Sequence, residues 1–214
     1  MSDLAKKLSV LIDRLALPIT DEQLAMLVQY VELFHKWNKA YNLSAIRDLE
    51  GIVHRHIIDS LSICPLLPKT EQYHIIDVGT GGGLPGIPLA IMNPGWQVSL
   101  LDSNGKKTRF LTQVKIELGL TNVSVFNERV EKHQPAQPLN AVISRAFASL
   151  KDMIEGCQTL LDDKGVFWAM KGVYPEQEIA EMPAGFVVKE SFSIHLPDDD
   201  ASRHLLAITK NSTE

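Results

Sequence analysis

The chain is nearly free of cysteine: its 214 residues include only Cys64 and Cys157. Both lie among apolar neighbours and lack metal-ligand spacing, so the expectation is two buried reduced thiols, with no disulfide framework and no metal site. Long hydrophobic runs are also missing. The stretch from Leu4 to Val10 is interrupted by Lys6 and Lys7 and followed by Asp13 and Arg14, which fits neither a signal peptide nor a membrane span. A cytoplasmic protein without membrane contact is therefore expected. Positive charge is in deficit. Lys and Arg number 21 against 26 Asp and Glu, giving a net charge of −5 and a pI near 5.8. That balance argues against a general nucleic-acid coat, although a basic patch on one face could still bind RNA. Internal repeats and low-complexity tracts are absent too. What remains, 45% hydrophobic residues over this length, suits one full α/β core with an appendage, and a monomer is expected.

The densest signal runs from His74 to Ile91, where a short apolar run meets a glycine cluster and then a second apolar run. It reads as strand, tight turn and helix, with glycines that allow positive φ and close approach of a ligand to the main chain. Two cofactors compete for this turn. Gly81-x-Gly83-x-x-Gly86 matches a dinucleotide loop. A pyrophosphate needs free N–H groups at a helix N-terminus, however, and Pro85 and Pro88 have none to offer. S-adenosylmethionine (AdoMet) carries no phosphate, and its loop, Asp-x-Gly-x-Gly-x-Gly, is matched in register by Asp77, Gly79, Gly81 and Gly83.

Around this turn the chain divides into a helical cap over residues 1–68 and an α/β domain over residues 69–214. Apolar residues at helical spacing mark a first helix from Asp3 to Leu15. Thr20 and Gln23 form a capping box for a longer helix reaching to about Trp37. The segment from Trp37 to Ser44 reads as a site or a buried corner. Leu49 to Leu61 is a third helix, on which His56 and Asp59 share a face and read as a solvated or capping pair rather than a catalytic one.

Strands are expected at Trp96–Leu101, Val123–Phe126, Leu139–Ser144 and Gly165–Met170. A terminal hairpin of Phe186–Leu196 and Arg203–Thr209 follows. Five βα units and a hairpin favour a seven-stranded methyltransferase sheet over a symmetric dinucleotide fold. Asp102, closing the second strand, is placed to accept ribose hydroxyls from an adenosine. The loop holding Val130 and Glu131 lies beside the purine. Arg145 and Lys171 reach the same carboxyl edge, where Arg145 has three open roles: pairing with a methionine carboxylate, contacting RNA phosphate, or bracing Glu131.

These motifs resemble the RsmG (GidB) family of bacterial small-subunit rRNA methyltransferases over nearly the whole chain. The resemblance rests on Trp37-Asn38-Lys39 with Tyr41-Asn42-Leu43, on His56 with Asp59-Ser60-Leu61, and on Asp77 through Gly86. Leu101-Asp102-Ser103 with Lys106-Lys107, Arg129-Val130-Glu131, Ser144-Arg145-Ala146 and Met170-Lys171-Gly172 complete it. Thr80 and Leu84 stand where the family often has serine and phenylalanine. The resemblance implies a class I AdoMet-dependent methyltransferase, a Rossmann-like seven-stranded sheet with helices on both faces and an N-terminal helical extension. It also implies methyl transfer from AdoMet to N7 of a guanine in a 16S rRNA loop near the decoding site of the small ribosomal subunit.

Family cofactor contacts fall on positions matching Gly79, Leu84, Val130, Glu131 and Arg145; Leu84 is implied by the resemblance alone. Guanine N7 carries a lone pair and no proton, so no general base is required and no residue is expected as acid or base. Catalysis would rest on alignment, with Arg145, Lys171, Arg47 and Arg55 as candidate cations for the RNA. Two alternatives stay open: an NAD-dependent oxidoreductase, and a non-catalytic AdoMet-binding ribosome-assembly factor.

Overall fold

The computed structural model describes residues 1–145 and 147–211. Helix α1 (Asp3–Arg14) starts where the Ser2 hydroxyl accepts the Ala5 N–H at 3.2 Å. Helix α2 (Asp21–Tyr41) opens on the expected Thr20–Gln23 capping box. It runs four residues beyond Trp37 and stops where Asn42 turns left-handed at φ 51°. Just before that stop, the buried Asn38 amide donates to the Ile46 carbonyl (2.7 Å) and accepts the Ser44 N–H (2.8 Å). The Trp37–Ser44 segment is thus a helix end folded onto a buried corner.

The third expected helix is present in three pieces. They are α3 (Leu49–Ile52), a π-helical stretch (Val53–Ile58) and α4 (Asp59–Leu61). Parallel strands β1 (His74–Val78), β2 (Gln97–Leu101), β3 (Val123–Phe126), β4 (Leu139–Ser144) and β5 (Leu161–Lys171) are joined by helices α5 (Gly86–Met92), α6 (Gly105–Glu117) and α7 (Leu150–Cys157), except that β3 and β4 are linked through a 3-10 turn (Val130–Lys132) where the expected βα units called for a helix. The short helix α8 (Glu176–Ala180) leads to the hairpin of β6 (Phe186–Leu196) and β7 (Asp199–Lys210). The hairpin turns at Asp198 (φ 59°) and β7 begins at Asp199, four residues earlier than Arg203, so β7 is longer than expected.

The sheet order is β3-β2-β1-β4-β5-β7-β6, with β7 antiparallel to both its neighbours. Successive residues of a strand face opposite sides, and Ile75 and Ile76 divide accordingly between two cores. The first core joins one sheet face to α1, α2, α5 and α6 through side chains such as Leu27, Tyr30, Phe34, Ile87 and Phe110. Residues 1–68 share this cluster with the sheet. The second core packs Leu150, Met153, Ile154 and Cys157 of α7 on the opposite face. Strand order reverses between β1 and β4, which puts a ligand crevice at their carboxyl ends.

Candidate cofactor and substrate site

At the crevice, the glycine loop is held from below by Asp77. Its Oδ2 accepts the Thr80 hydroxyl (2.7 Å) and the Gly86 N–H (2.9 Å). Burial outweighs these bonds and pushes the carboxyl up to about 6. Most of the loop's other N–H groups also turn inward. Those of Gly79 and Thr80 donate to the Leu101 carbonyl, those of Gly83 and Leu84 to the Thr80 carbonyl, that of Ile87 to the Gly83 carbonyl, and that of Gly81 to Asp102 Oδ2 at 2.9 Å. A pyrophosphate finds little to bind here, whereas a phosphate-free cofactor loses nothing.

The glycines serve two different needs. A Cβ on Gly81 would meet nothing closer than Lys107 Nζ at 3.9 Å, so this position, with φ 63°, is open towards the ligand side. At Gly83 a Cβ would lie 2.5 Å from Ile87 Cγ1 and 2.8 Å from Leu111 Cδ2, and at Gly82 it would strike the Phe34 ring. Helix α2 therefore docks directly on the loop, and the Tyr30 hydroxyl donates to the Gly82 carbonyl at 2.6 Å. Neither Tyr30 nor Phe34 carried a site signal in the sequence, because both belong to an apolar helix.

Asp102, Val130 and Glu131 come together as expected. With Val78, Gly79, Ser103 and Phe147 they line a cavity of about 370 Å³ between the ends of β1, β2 and β3. Asp102 is buried and also accepts the Asn104 N–H at 2.8 Å, so it makes the local turn and the loop tether at once. Lys107 Nζ lies 3.6 Å from it, an anion facing one of the cations that open α6. Phe147, unassigned by sequence, supplies an apolar wall suited to a purine.

A second pocket, of about 190 Å³, adjoins the same loop. Gly79 to Gly82, Leu84 and Arg145 form one side, and Phe34, Leu43, Ser44 and His56 the other. Leu84 is buried here and Arg145 is about a quarter exposed. Arg145 braces Asp59 rather than Glu131, its Nη1 donating to Asp59 Oδ2 at 2.8 Å. Asp59 Oδ1 accepts from Arg203 Nε, also at 2.8 Å. The reading of His56 and Asp59 as a solvated or capping pair is corrected: both are buried and each has other partners. His56 Nε2 lies 2.7 Å from Ser44 Oγ, while its Nδ1 lies 3.0 Å from the Arg55 carbonyl. A carbonyl only accepts, so Nδ1 carries the proton and the Ser44 hydroxyl donates to Nε2. Burial and the nearby Arg145 charge lower His56 to about 4.

The remaining candidate cations separate. Lys171 is bridged to Glu178 (2.7 Å), whose same oxygen accepts the Leu150 N–H. Arg47 and Arg55 face an open groove of about 1,090 Å³ on the α1 side, with the Lys7–Glu50 and Arg14–Asp198 pairs on its walls. Burial pushes Cys64 and Cys157 up to about 12, as fits inert thiols. Among the described residues no group of three or more His, Cys, Asp or Glu could hold a metal ion, and no helix is long and apolar enough to cross a membrane.

A cavity at the strand ends beside a loop most of whose N–H groups are spent internally, on a sheet with an inserted antiparallel strand, sets this fold apart from dinucleotide enzymes. It is the class I methyltransferase fold. Solved structures share the fold at low identity. TrmN from Thermus thermophilus superposes with a TM-score of 0.57 at 15% identity, covering 71% of this chain and 48% of that one. TrmK from M. capricolum in complex with S-adenosyl-homocysteine gives 0.53 at 15% identity, covering 71% and 67%.

Sequence identifies the family. The GidB family, described as rRNA small subunit methyltransferase G, matches residues 23–206. "Ribosomal RNA small subunit methyltransferase G" of Saccharophagus degradans is 51% identical over 204 residues, spanning 95% of this chain and 90% of the relative. The protein of that name from Shewanella sp. (strain MR-7) is 48% identical over 207 residues, spanning 97% and 99%. The chain belongs to the GidB family.

Proposed function

We propose that this protein transfers the methyl group of AdoMet to N7 of one guanine in the 16S rRNA of the small ribosomal subunit. The observation that carries the reading is the ionisable content of the pocket beside the glycine loop. Only His56 and Arg145 ionise among its lining residues. His56, lowered to about 4 with Nε2 engaged by Ser44, is a poor base, and Arg145 is a fixed cation. An acceptor that had to lose a proton would find no base there. Guanine N7 has none to lose.

In this reading Asp102 holds the ribose hydroxyls, the backbone of Val130 and Glu131 reads the adenine edge, and Gly79, Gly81 and Leu84 shape the methionine end. Arg145 faces the methionine carboxylate or an RNA phosphate, and Lys171 supports the RNA. Bound AdoMet supplies an electrophilic methyl on a sulfonium. The chain's own residues do the rest: Phe34, Leu43 and Leu84 exclude water, and the neutral Ser44–His56 pair adds no charge to repel the purine as it becomes cationic. Rate enhancement then comes from alignment. The helical part, residues 1–68, supplies the acceptor side, and residues 69–214 hold the cofactor. We take the protein to act as a metal-free monomer in the cytoplasm.

The test is incubation with methyl-labelled AdoMet and either unmethylated small subunits or their free rRNA. Label at a single guanine supports the proposal. Binding of subunits without transfer would favour an assembly factor.

A further inference from the structure

Arg145 lines two spaces. One is the pocket at the glycine loop; the other, on its far side, is a cleft of about 140 Å³ shared with Asp59, Ser62, Lys171, Arg203 and His204. That is roughly the room of four or five waters, the scale of a phosphate group rather than a whole nucleotide. Its walls come from α4 and the residue after it, the residue following β4, the end of β5, the end of β6 and the middle of β7.

The cleft is organised by one carboxylate. Asp59 accepts Nη1 of Arg145 from one side and Nε of Arg203 from the other, both at 2.8 Å, so two guanidinium groups are held against a single negative charge. Further acids stand behind the cations. Glu178 pairs with Lys171 at 2.7 Å and Asp199 lies 3.6 Å from Arg203 Nη2, yet neither acid lines the cleft. The wall that a ligand meets therefore carries three cations against the single carboxylate of Asp59, while the other two acids sit outside it. Outside the lining, Tyr174 is 40% exposed, and its ring stands edge-on to His204, which does line the cleft, with centroids 5.5 Å apart. Cations set beside an exposed, braced ring suit a single RNA strand, with phosphate on the first and base on the second.

We propose that this cleft is a second substrate subsite: it binds the phosphate of a nucleotide flanking the target guanine, and that nucleotide's base stacks on Tyr174. The inference rests on the RNA-methyltransferase reading and adds the path of the strand, which leaves the methyl-transfer pocket over Arg145, away from the cofactor. Asp59 is a positioning residue that presents both arginines.

The experiment measures methyl transfer to unmethylated small subunits at saturating AdoMet for Arg203→Gln, Arg203→Lys and Tyr174→Ala, with AdoMet affinity by calorimetry and the melting temperature of each variant. Arg203→Gln should raise the subunit KM about tenfold and make its log–log salt dependence shallower by about 0.7, the effect of one lost phosphate contact on a single strand. Arg203→Lys should restore the salt slope. Tyr174→Ala removes no hydrogen bond or ion pair of Asp59 or its arginines among the described residues, and it should raise KM about fivefold or more with the slope unchanged. AdoMet affinity should stay within twofold throughout. Wild-type subunit KM in both Arg203→Gln and Tyr174→Ala would overturn the subsite alone. Equal losses of subunit and AdoMet affinity in Tyr174→Ala would also overturn it, as general loosening. A wild-type protein that methylates neither subunits nor rRNA would overturn the RNA reading and the subsite with it.

Discussion

Asp77 should make the fold pH-dependent in a direction unusual for an aspartate. One of its oxygens is shared by Thr80 and Gly86, while the other is buried without a hydrogen-bond partner among the described residues. Its carboxyl therefore rises from 3.8 to about 6. The folded state keeps this proton to higher pH than the unfolded chain does. Stability is then full below about pH 4 and is lost as pH rises through about 6. A rise of about 2 pH units corresponds to about 3 kcal/mol. With an unfolding entropy of about 2.1 cal/mol/K per residue over the 214 residues, that is roughly 7 °C in Tm.

Asp77→Asn keeps an acceptor for Thr80 and Gly86 and cannot ionise, so its other costs are the same at every pH. Calorimetric melting of both proteins without cofactor should show Tm of the variant minus Tm of the wild type growing by several degrees between pH 4 and pH 7. A constant difference, or one that shrinks, would refute the claim that burial dominates at this carboxylate.

Asp102→Ala removes the acceptor of the Gly81 N–H along with the proposed ribose contact. AdoMet affinity should fall at least about tenfold by calorimetry, the effect of a lost charge-assisted hydrogen bond; unchanged affinity would take Asp102 out of the site. With His56 lowered to about 4, kcat should stay flat from about pH 6.5 to 9. An acid limb of unit slope in that range would reveal a general base. Lys171→Ala should leave AdoMet affinity unchanged and raise KM for the RNA substrate, which parallel calorimetry and kinetics check. Gly82→Ala would push a Cβ against the Phe34 ring, whose Cζ and Cδ2 would lie 3.1 and 3.2 Å away. Phe34 is fully buried among Tyr30, His56 and Phe110, so overpacking should cost about 1–3 kcal/mol and lower Tm by about 2–7 °C.

The parts of the fold written in local chemistry were legible. The Thr20–Gln23 capping box, the β1–glycine–α5 turn and the terminal hairpin each follow from residues adjacent in the chain. Boundaries decided by distant partners were not. Helix α2 outlasts Trp37 because Asn38 finds the backbone of Ser44 and Ile46, and the π-helical widening from Val53 to Ile58 has no period in the sequence to announce it. The candidate site divides the same way. Asp102 and Val130–Glu131 sit at fixed offsets from the glycine loop and converge on one cavity. Asp59 and Arg203, 144 positions apart, meet only because β7 lies next to β5 at the sheet's far side. Tyr30 and Phe34 look like ordinary core residues until the loop they support is in place.

The most direct measurement is mass spectrometry of small-subunit rRNA after reaction with this protein and AdoMet, reading both the modified nucleoside and its position. The account predicts 7-methylguanosine at one position. A methyl group on an exocyclic amine, on a ribose hydroxyl or on a pyrimidine carbon would contradict it, because those acceptors must give up a proton and the pocket beside the glycine loop holds no base to take it.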